Sequence, residues 1–279
     1  MVCRKGKKED RYNQDDFAVL STGNTRVLAV FDGHGAKGEQ VASFVRQSIC
    51  DNLEKTLSSN KDDLADSSVI QAFHEAHAAC ELHSIVVDNK DKFDCVSSGT
   101  TATVAIVGPD RITIGFVGDS RCIIARERKA GTKAFELVYQ TMDQTCERKD
   151  ERRRIKESGG ECKRLKGDIP RRVFVKDHGY PGLAMTRSIG DTSGEAAGII
   201  PTPEIFRVRI NRDSEQFVVV ASDGIWEFLS SESVVQIISS YSKDSVQEAA
   251  QAVVKSALNE WEKQSPWAID DITCIIAWL

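Results

Sequence analysis

Three apolar runs in the middle of the chain leave little freedom of topology. Thr101–Val107 and Ile112–Val117 are separated only by Gly108–Arg111, and Cys122–Ala125 follows almost at once. A parallel crossover needs a dozen or more residues, so these links predict antiparallel pairing and exclude a doubly wound parallel sheet. Other short runs rich in Val and Ile read as strands: Phe17–Leu20, Val27–Phe31, Phe217–Ala221 and Ile272–Trp278. Helical spacing marks Gln40–Leu57, where Val41, Phe44, Val45, Ile49 and Leu53 form one stripe, and also Ser68–Val86, Val246–Trp261 and a short segment after Ser231. Glu147–Ser158 reads as a charged helix stopped by Gly159-Gly160. The expectation is an α+β fold of antiparallel sheets with amphipathic helices packed on them. Leu165–Pro203, rich in Gly and Pro, reads as a long functional loop.

Composition narrows the function. The 279 residues include 37 basic and 42 acidic side chains, a net charge of −5, and 41% are hydrophobic, which excludes a disordered chain and argues against a nucleic-acid-coating protein. No stretch approaches the apolar length of a membrane span, and the polar start resembles neither a signal peptide nor a myristoylation site. A cytoplasmic or nuclear protein is expected, without nucleic-acid or membrane partners. Eight cysteines are spread without a CxxC pair, so reduced thiols are expected rather than a disulfide framework.

The aspartates carry the chemistry. Asp32 and Asp223 follow the ends of apolar runs (VLAVFD, VVVASD), and Asp15 and Asp270 stand just before two others (DDFAVL, DDITCII). Strands alternating in direction bring all four to one edge, where Asp119, in the turn VGDSRC, can join them. Gathered carboxylates repel unless cations neutralise them, and an oxygen-only donor set selects Mg²⁺ or Mn²⁺ over Zn²⁺. His34 lies two residues after Asp32 in FDGHGAKG, placed for acid catalysis or serving as a turn histidine. His74 and His77 lack the HExxH spacing and read as helix residues. Gly33–Gly38 matches GxGxxG, but Asp32 would oppose a pyrophosphate and the strands do not form βαβ units, so a dinucleotide oxidoreductase is the distant reading. Basic residues gather between Arg148 and Arg172, as a solvated helix face or a phosphate-attracting rim, and again at Arg4, Lys5, Lys7, Lys8 and Arg11.

From end to end the chain resembles the metal-dependent PP2C (PPM) serine/threonine protein phosphatases. The motifs NQDDF, VFDGHG, SGTTA, VGDSR, ERRRIKESGG, MTRSIGD, ASDGIWEFLS and DDITCII occur in the family's order. The resemblance implies a single catalytic domain over 1–279, a central β-sandwich flanked by helices, and a variable flap near 165–203. It implies two Mn²⁺ or Mg²⁺ ions bridged by Asp32, with the Gly33 carbonyl, Asp15, Asp223 and Asp270 completing the shells, and a third, looser metal through Asp143. His34 corresponds to the general acid. Arg4, or Arg11, corresponds to the phosphate-binding arginine. Gln14, Asp119, Asp191 and Glu227 are supporting positions. Gln14 replaces a frequent Glu, and Glu227 a frequent Asp.

The implied reaction is in-line attack on phosphoserine or phosphothreonine by a hydroxide bridging the two ions, with protein substrates and a monomeric enzyme. No phosphoenzyme and no nucleophilic cysteine are expected. The alternative is a phosphatase-like module that binds phosphoproteins without turnover.

Overall fold

The computed structural model describes residues 1–7, 12–59, 64–86, 93–129, 131–132, 134–167 and 170–279. Two antiparallel sheets face one another. One has the order β1 (Val2–Arg4), β15 (Ile272–Trp278), β14 (Gln216–Ala221), β7 (Arg121–Glu127) and β8 (Phe135–Gln140). The other runs β12 (Ile189–Gly190), β4 (Gly99–Thr100), β3 (Thr25–His34), β5 (Ala102–Val107), β6 (Arg111–Val117) and β13 (Glu204–Arg209), with β2 (Asp15–Thr22) also paired to β3. α1 (Gly38–Ser59) and α2 (Asp66–Val86) cover the second sheet, while α5 (Ser231–Ser239) and α6 (Val246–Gln264) cover the first.

Period-two geometry explains the four layers. On β3, Val27, Ala29 and Phe31 pack with Val41, Val45 and Ile49 of α1, while Leu28 and Val30 join Val218, Val220 and Ile275 between the sheets. On β14, Phe217, Val219 and Ala221 turn outward to Val234, Ile238 and Val253 of the other helix pair. Both faces of each sheet are buried, so the strands read as unbroken apolar runs rather than alternating ones. The expected α+β sandwich is the fold.

Three expectations are corrected. The link from β6 to β7 is not a hairpin: β6 pairs with β5 and β13, β7 pairs with β14 and β8, and Gly118–Ser120 crosses between sheets. Gly118, at φ +98°, makes that corner. The Leu165–Pro203 segment is not simply a loop. It contains β10 (Arg171–Val175), β11 (Pro181–Leu183), β12 and a 3₁₀ turn over Thr192–Ala197. β10 pairs with β9 (Gly160–Arg164) on one side and β11 on the other, forming a small sheet beside α3 (Lys149–Glu157) over a core of Ile155, Val173, Ala197 and Ile199. Finally, Cys146 and Cys162 are joined in a disulfide within that small core, contrary to the expectation of reduced thiols throughout. The other six cysteines are free.

Candidate metal centre

One edge of the sandwich collects the aspartates. Asp15 opens β2, Asp32 lies near the end of β3, and the two pair directly across the ladder, so their side chains leave on the same face. From the other sheet, Asp223 begins the short α4 (Asp223–Trp226) just beyond β14, and Asp270 lies two residues before β15. Ser222 stitches the two sheets at this edge. Its Oγ donates to Asp15 Oδ2 at 2.8 Å and accepts from the Thr273 N–H at 3.0 Å.

The electrostatics report the crowding. Burial, then the charges of Asp223, Asp15, Asp270 and Asp119, holds Asp32 well above the usual carboxylate range. Burial and then Asp270 and Asp119 do the same to Asp223, which shares a hydrogen bond with Asp32. Burial lifts Asp15 to about 7 against hydrogen bonds from Thr273 and Ser222, and lifts Asp119 to about 6 with Asp143 adding. Among the described residues, Oδ1 of Asp15, Asp119 and Asp223 is buried without a hydrogen-bond partner. Buried acceptors with mutually repelling charges and no thiolate among them are a donor set that suits a hard divalent cation.

A second acidic group makes the contrast. Oxygens of Asp150, Glu151 and Glu204 lie within 4.8 Å of one another. Arg148 binds Asp150 at 2.5 Å and Glu204 at 2.6 Å, Arg187 binds Glu151 at 2.6 Å, and Arg154 binds Glu151 at 2.7 Å. Burial alone would raise the Glu151 carboxyl, but its arginine and Thr186 partners leave it lowered. That cluster already has its cations.

The backbone of the DGH turn is tightly confined. A side chain at Gly33 would collide with the carbonyls of Gly38 and Gln14, and Gly35 holds φ +85°. His34 Nε2 lies 2.7 Å from Asp191 Oδ2, which also accepts from Ser188 Oγ at 2.6 Å. Burial opposes the His34 charge, but the Asp191 carboxylate outweighs it and leaves the imidazole raised above its ordinary value. Its Nδ1 is buried without a partner among the described residues.

The family description of protein phosphatase 2C matches residues 10–264. The chain belongs to the protein phosphatase 2C family. It is 34% identical over 294 residues to probable protein phosphatase 2C 35 of Arabidopsis thaliana, covering 96% of this chain and 78% of that one. It is also 34% identical over 275 residues to probable protein phosphatase 2C 72 of the same plant, covering 95% and 81%. The crystal structure of serine-threonine phosphatase 2C from Toxoplasma gondii superposes at TM-score 0.76 with 19% identity, covering 99% of this chain and 93% of that chain, a likeness of fold.

As a protein phosphatase 2C, this chain is a metal-dependent serine/threonine protein phosphatase acting on phosphoproteins, and its other expected site residues fall unevenly. Arg4 ends β1, its Cα paired with Ile272 two residues beyond Asp270, and is exposed. Arg11 lies outside the described residues. Gln14 is buried, and its amide donates to the Gly35 carbonyl at 2.9 Å and to Glu39 at 3.3 Å, steadying the DGH turn. Glu227 is exposed at the end of α4. Asp143 is engaged by a bidentate ion pair: Arg121 donates to its Oδ1 at 3.0 Å and its Oδ2 at 2.7 Å.

Two residues escaped the sequence analysis. Ser222 was visible as the residue before Asp223 in ASDG, but nothing in the sequence places it between sheets. Asp271, second of the DD pair, accepts from the Gly6 N–H at 2.7 Å and the Gln14 N–H at 2.8 Å, pinning β1 and the Asp15 segment together.

Proposed function

We propose that this phosphatase hydrolyses phosphoserine and phosphothreonine in proteins with two Mn²⁺ or Mg²⁺ ions held by Asp32, Asp223, Asp270 and Asp15, the Gly33 carbonyl contributing. The observation that carries this reading is the single edge where four aspartates from two sheets meet, with Oδ1 of Asp15 and of Asp223 buried without a partner among the described residues. When bound, such ions supply a water of lowered pKa and neutralise charge on the phosphoryl group.

The chain's own residues supply the rest. Arg4, exposed at the end of β1, offers a planar guanidinium suited to two phosphate oxygens. Asp191 holds His34 through Nε2 and favours the imidazolium, the form able to hand a proton to the departing serine or threonine oxygen. The confined Gly33–Gly35 backbone fixes His34 relative to Asp32.

His34→Ala tests the proton donor. Turnover of a phosphothreonine peptide should fall on the order of 10²–10⁴-fold, and that of p-nitrophenyl phosphate, whose leaving group needs little protonation, much less. Equal losses on the two substrates would remove His34 from this role.

A further inference from the structure

The disulfide between Cys146 and Cys162 borders a cavity that none of the edge aspartates lines. Cys146 is fully buried, whereas Cys162 on β9 is partly exposed. The cavity, about 460 Å³, is lined by Cys162 together with Arg152, Lys156, Lys176 and Glu161. Its volume is in the range of small-molecule sites, ~300–1,000 Å³.

The charges around it are unbalanced. Glu161 is ion-paired with Lys163 and accepts from the Asp177 N–H at 3.3 Å. Arg152 donates to the Cys146 carbonyl at 2.8 Å, which sets its guanidinium beside the bridge. Lys156 and Lys176 are exposed. Three cations therefore face one engaged carboxylate next to the accessible sulfur.

We propose that this cavity admits an anionic small-molecule thiol, and that such a thiol opens the Cys146–Cys162 bridge by attacking Cys162. The attacking thiolate forms a new S–S bond to Cys162 Sγ as the bond to Cys146 breaks, and the electron pair leaves on Cys146 Sγ, which then takes a proton from water. A second thiolate attacks the small-molecule sulfur, releases the symmetrical small-molecule disulfide and leaves Cys162 as a thiolate. The balance is two thiols oxidised for one bridge reduced. Attack falls on Cys162 because exchange needs in-line access to a sulfur and Cys146 has none. Cations beside Cys162 favour the thiolate there and raise the local concentration of an anionic attacker.

The bridge also reaches toward the aspartates. Two residues before Cys146, Gln144 exchanges hydrogen bonds with Gly118, its N–H donating to the carbonyl at 2.9 Å and its Oε1 accepting from the N–H at 2.8 Å. Gly118 immediately precedes Asp119. Opening the bridge removes the covalent tie between the three-stranded sheet and the segment that fixes this turn.

The test compares two thiols on the protein purified without reductant. Bridge opening is followed by quenched alkylation and mass spectrometry with glutathione, which is net negative, and with 2-mercaptoethanol, which is uncharged, at matched thiolate concentration. In the Lys156→Glu/Lys176→Glu variant the glutathione rate should fall about ten-fold at low salt and approach wild type at high salt, while the 2-mercaptoethanol rate stays unchanged. The transient adduct should sit on Cys162. Equal effects on the two thiols, no effect on either, an adduct on Cys146, or free thiols at both positions in the starting protein would each overturn the proposal.

Discussion

In the metal-free protein, stability should decline as pH rises from about 4 to about 7, and a divalent cation should abolish the decline. Asp15 is only 8% exposed, and burial chiefly lifts its carboxyl from 3.8 to about 7. Between those values the unfolded chain has released the proton while the folded protein still holds it. The folded state thus binds more protons, and the free energy of unfolding falls with rising pH, fully present below the unfolded value and lost by about 7. At roughly 1.4 kcal/mol per pH unit, the contribution of this carboxyl is on the order of 4 kcal/mol. Asp15→Asn has no proton to lose and keeps an oxygen to accept from Ser222. Urea unfolding of both proteins in EDTA, at several pH values across this window, gives the comparison. Wild type should lose stability relative to Asp15→Asn as pH rises, and saturating Mn²⁺, which favours the ionised carboxylates, should remove that relative loss. Parallel stabilities in EDTA would refute the reasoning, because Asp15 would then ionise as freely in the fold as outside it.

Other perturbations probe separate parts of the site. Asp32→Asn should abolish phosphatase activity while circular dichroism stays that of wild type; full activity at ordinary metal concentration would remove Asp32 from the centre. Asp191→Asn should lower the His34 pKa, so the alkaline limb of the phosphopeptide rate profile should move to lower pH, as expected for loss of a charged hydrogen-bond partner. An unmoved limb would show that Asp191 does not hold the proton on His34. Cys162→Ser should destabilise the three-stranded sheet by about 3 kcal/mol, the loop-entropy value for a bridge spanning about 15 residues. Hydrogen exchange in β9 and β10 should quicken accordingly, and unchanged protection would show that the bridge contributes nothing there.

Much of this arrangement was legible in the sequence because it follows from local chemistry. The apolar runs and helical stripes are set by burial on both sheet faces, so the main strands and helices fall where the residues place them within a few positions. Asp15, Asp32, Asp223 and Asp270 could be assigned to one edge from strand direction alone. The failures are non-local. Phe135–Gln140 and Glu204–Arg209 pair as edge strands with half-exposed, mixed side chains, which leaves no clean period. The crossing at Gly118–Ser120 depends on which sheet β7 joins, and that choice is made by Gln216–Ala221, far away in the chain. Spacing suggested nothing of the Cys146–Cys162 pair, because β9 meets the segment before α3 only once the small sheet is formed. The partner of Asp143 was likewise invisible: Arg121 looks like any strand-initiating residue until β7 brings it alongside.

The central claim is that this aspartate edge makes the chain a metal-dependent phosphatase. Its most direct test is hydrolysis of a phosphothreonine peptide by the wild-type protein and Asp223→Asn, each with Mn²⁺, with Mg²⁺ and with excess EDTA. Phosphate release by wild type with either metal, lost in EDTA and absent from the folded variant, is the predicted result. Turnover that persists in EDTA, or that survives undiminished in Asp223→Asn, would contradict it.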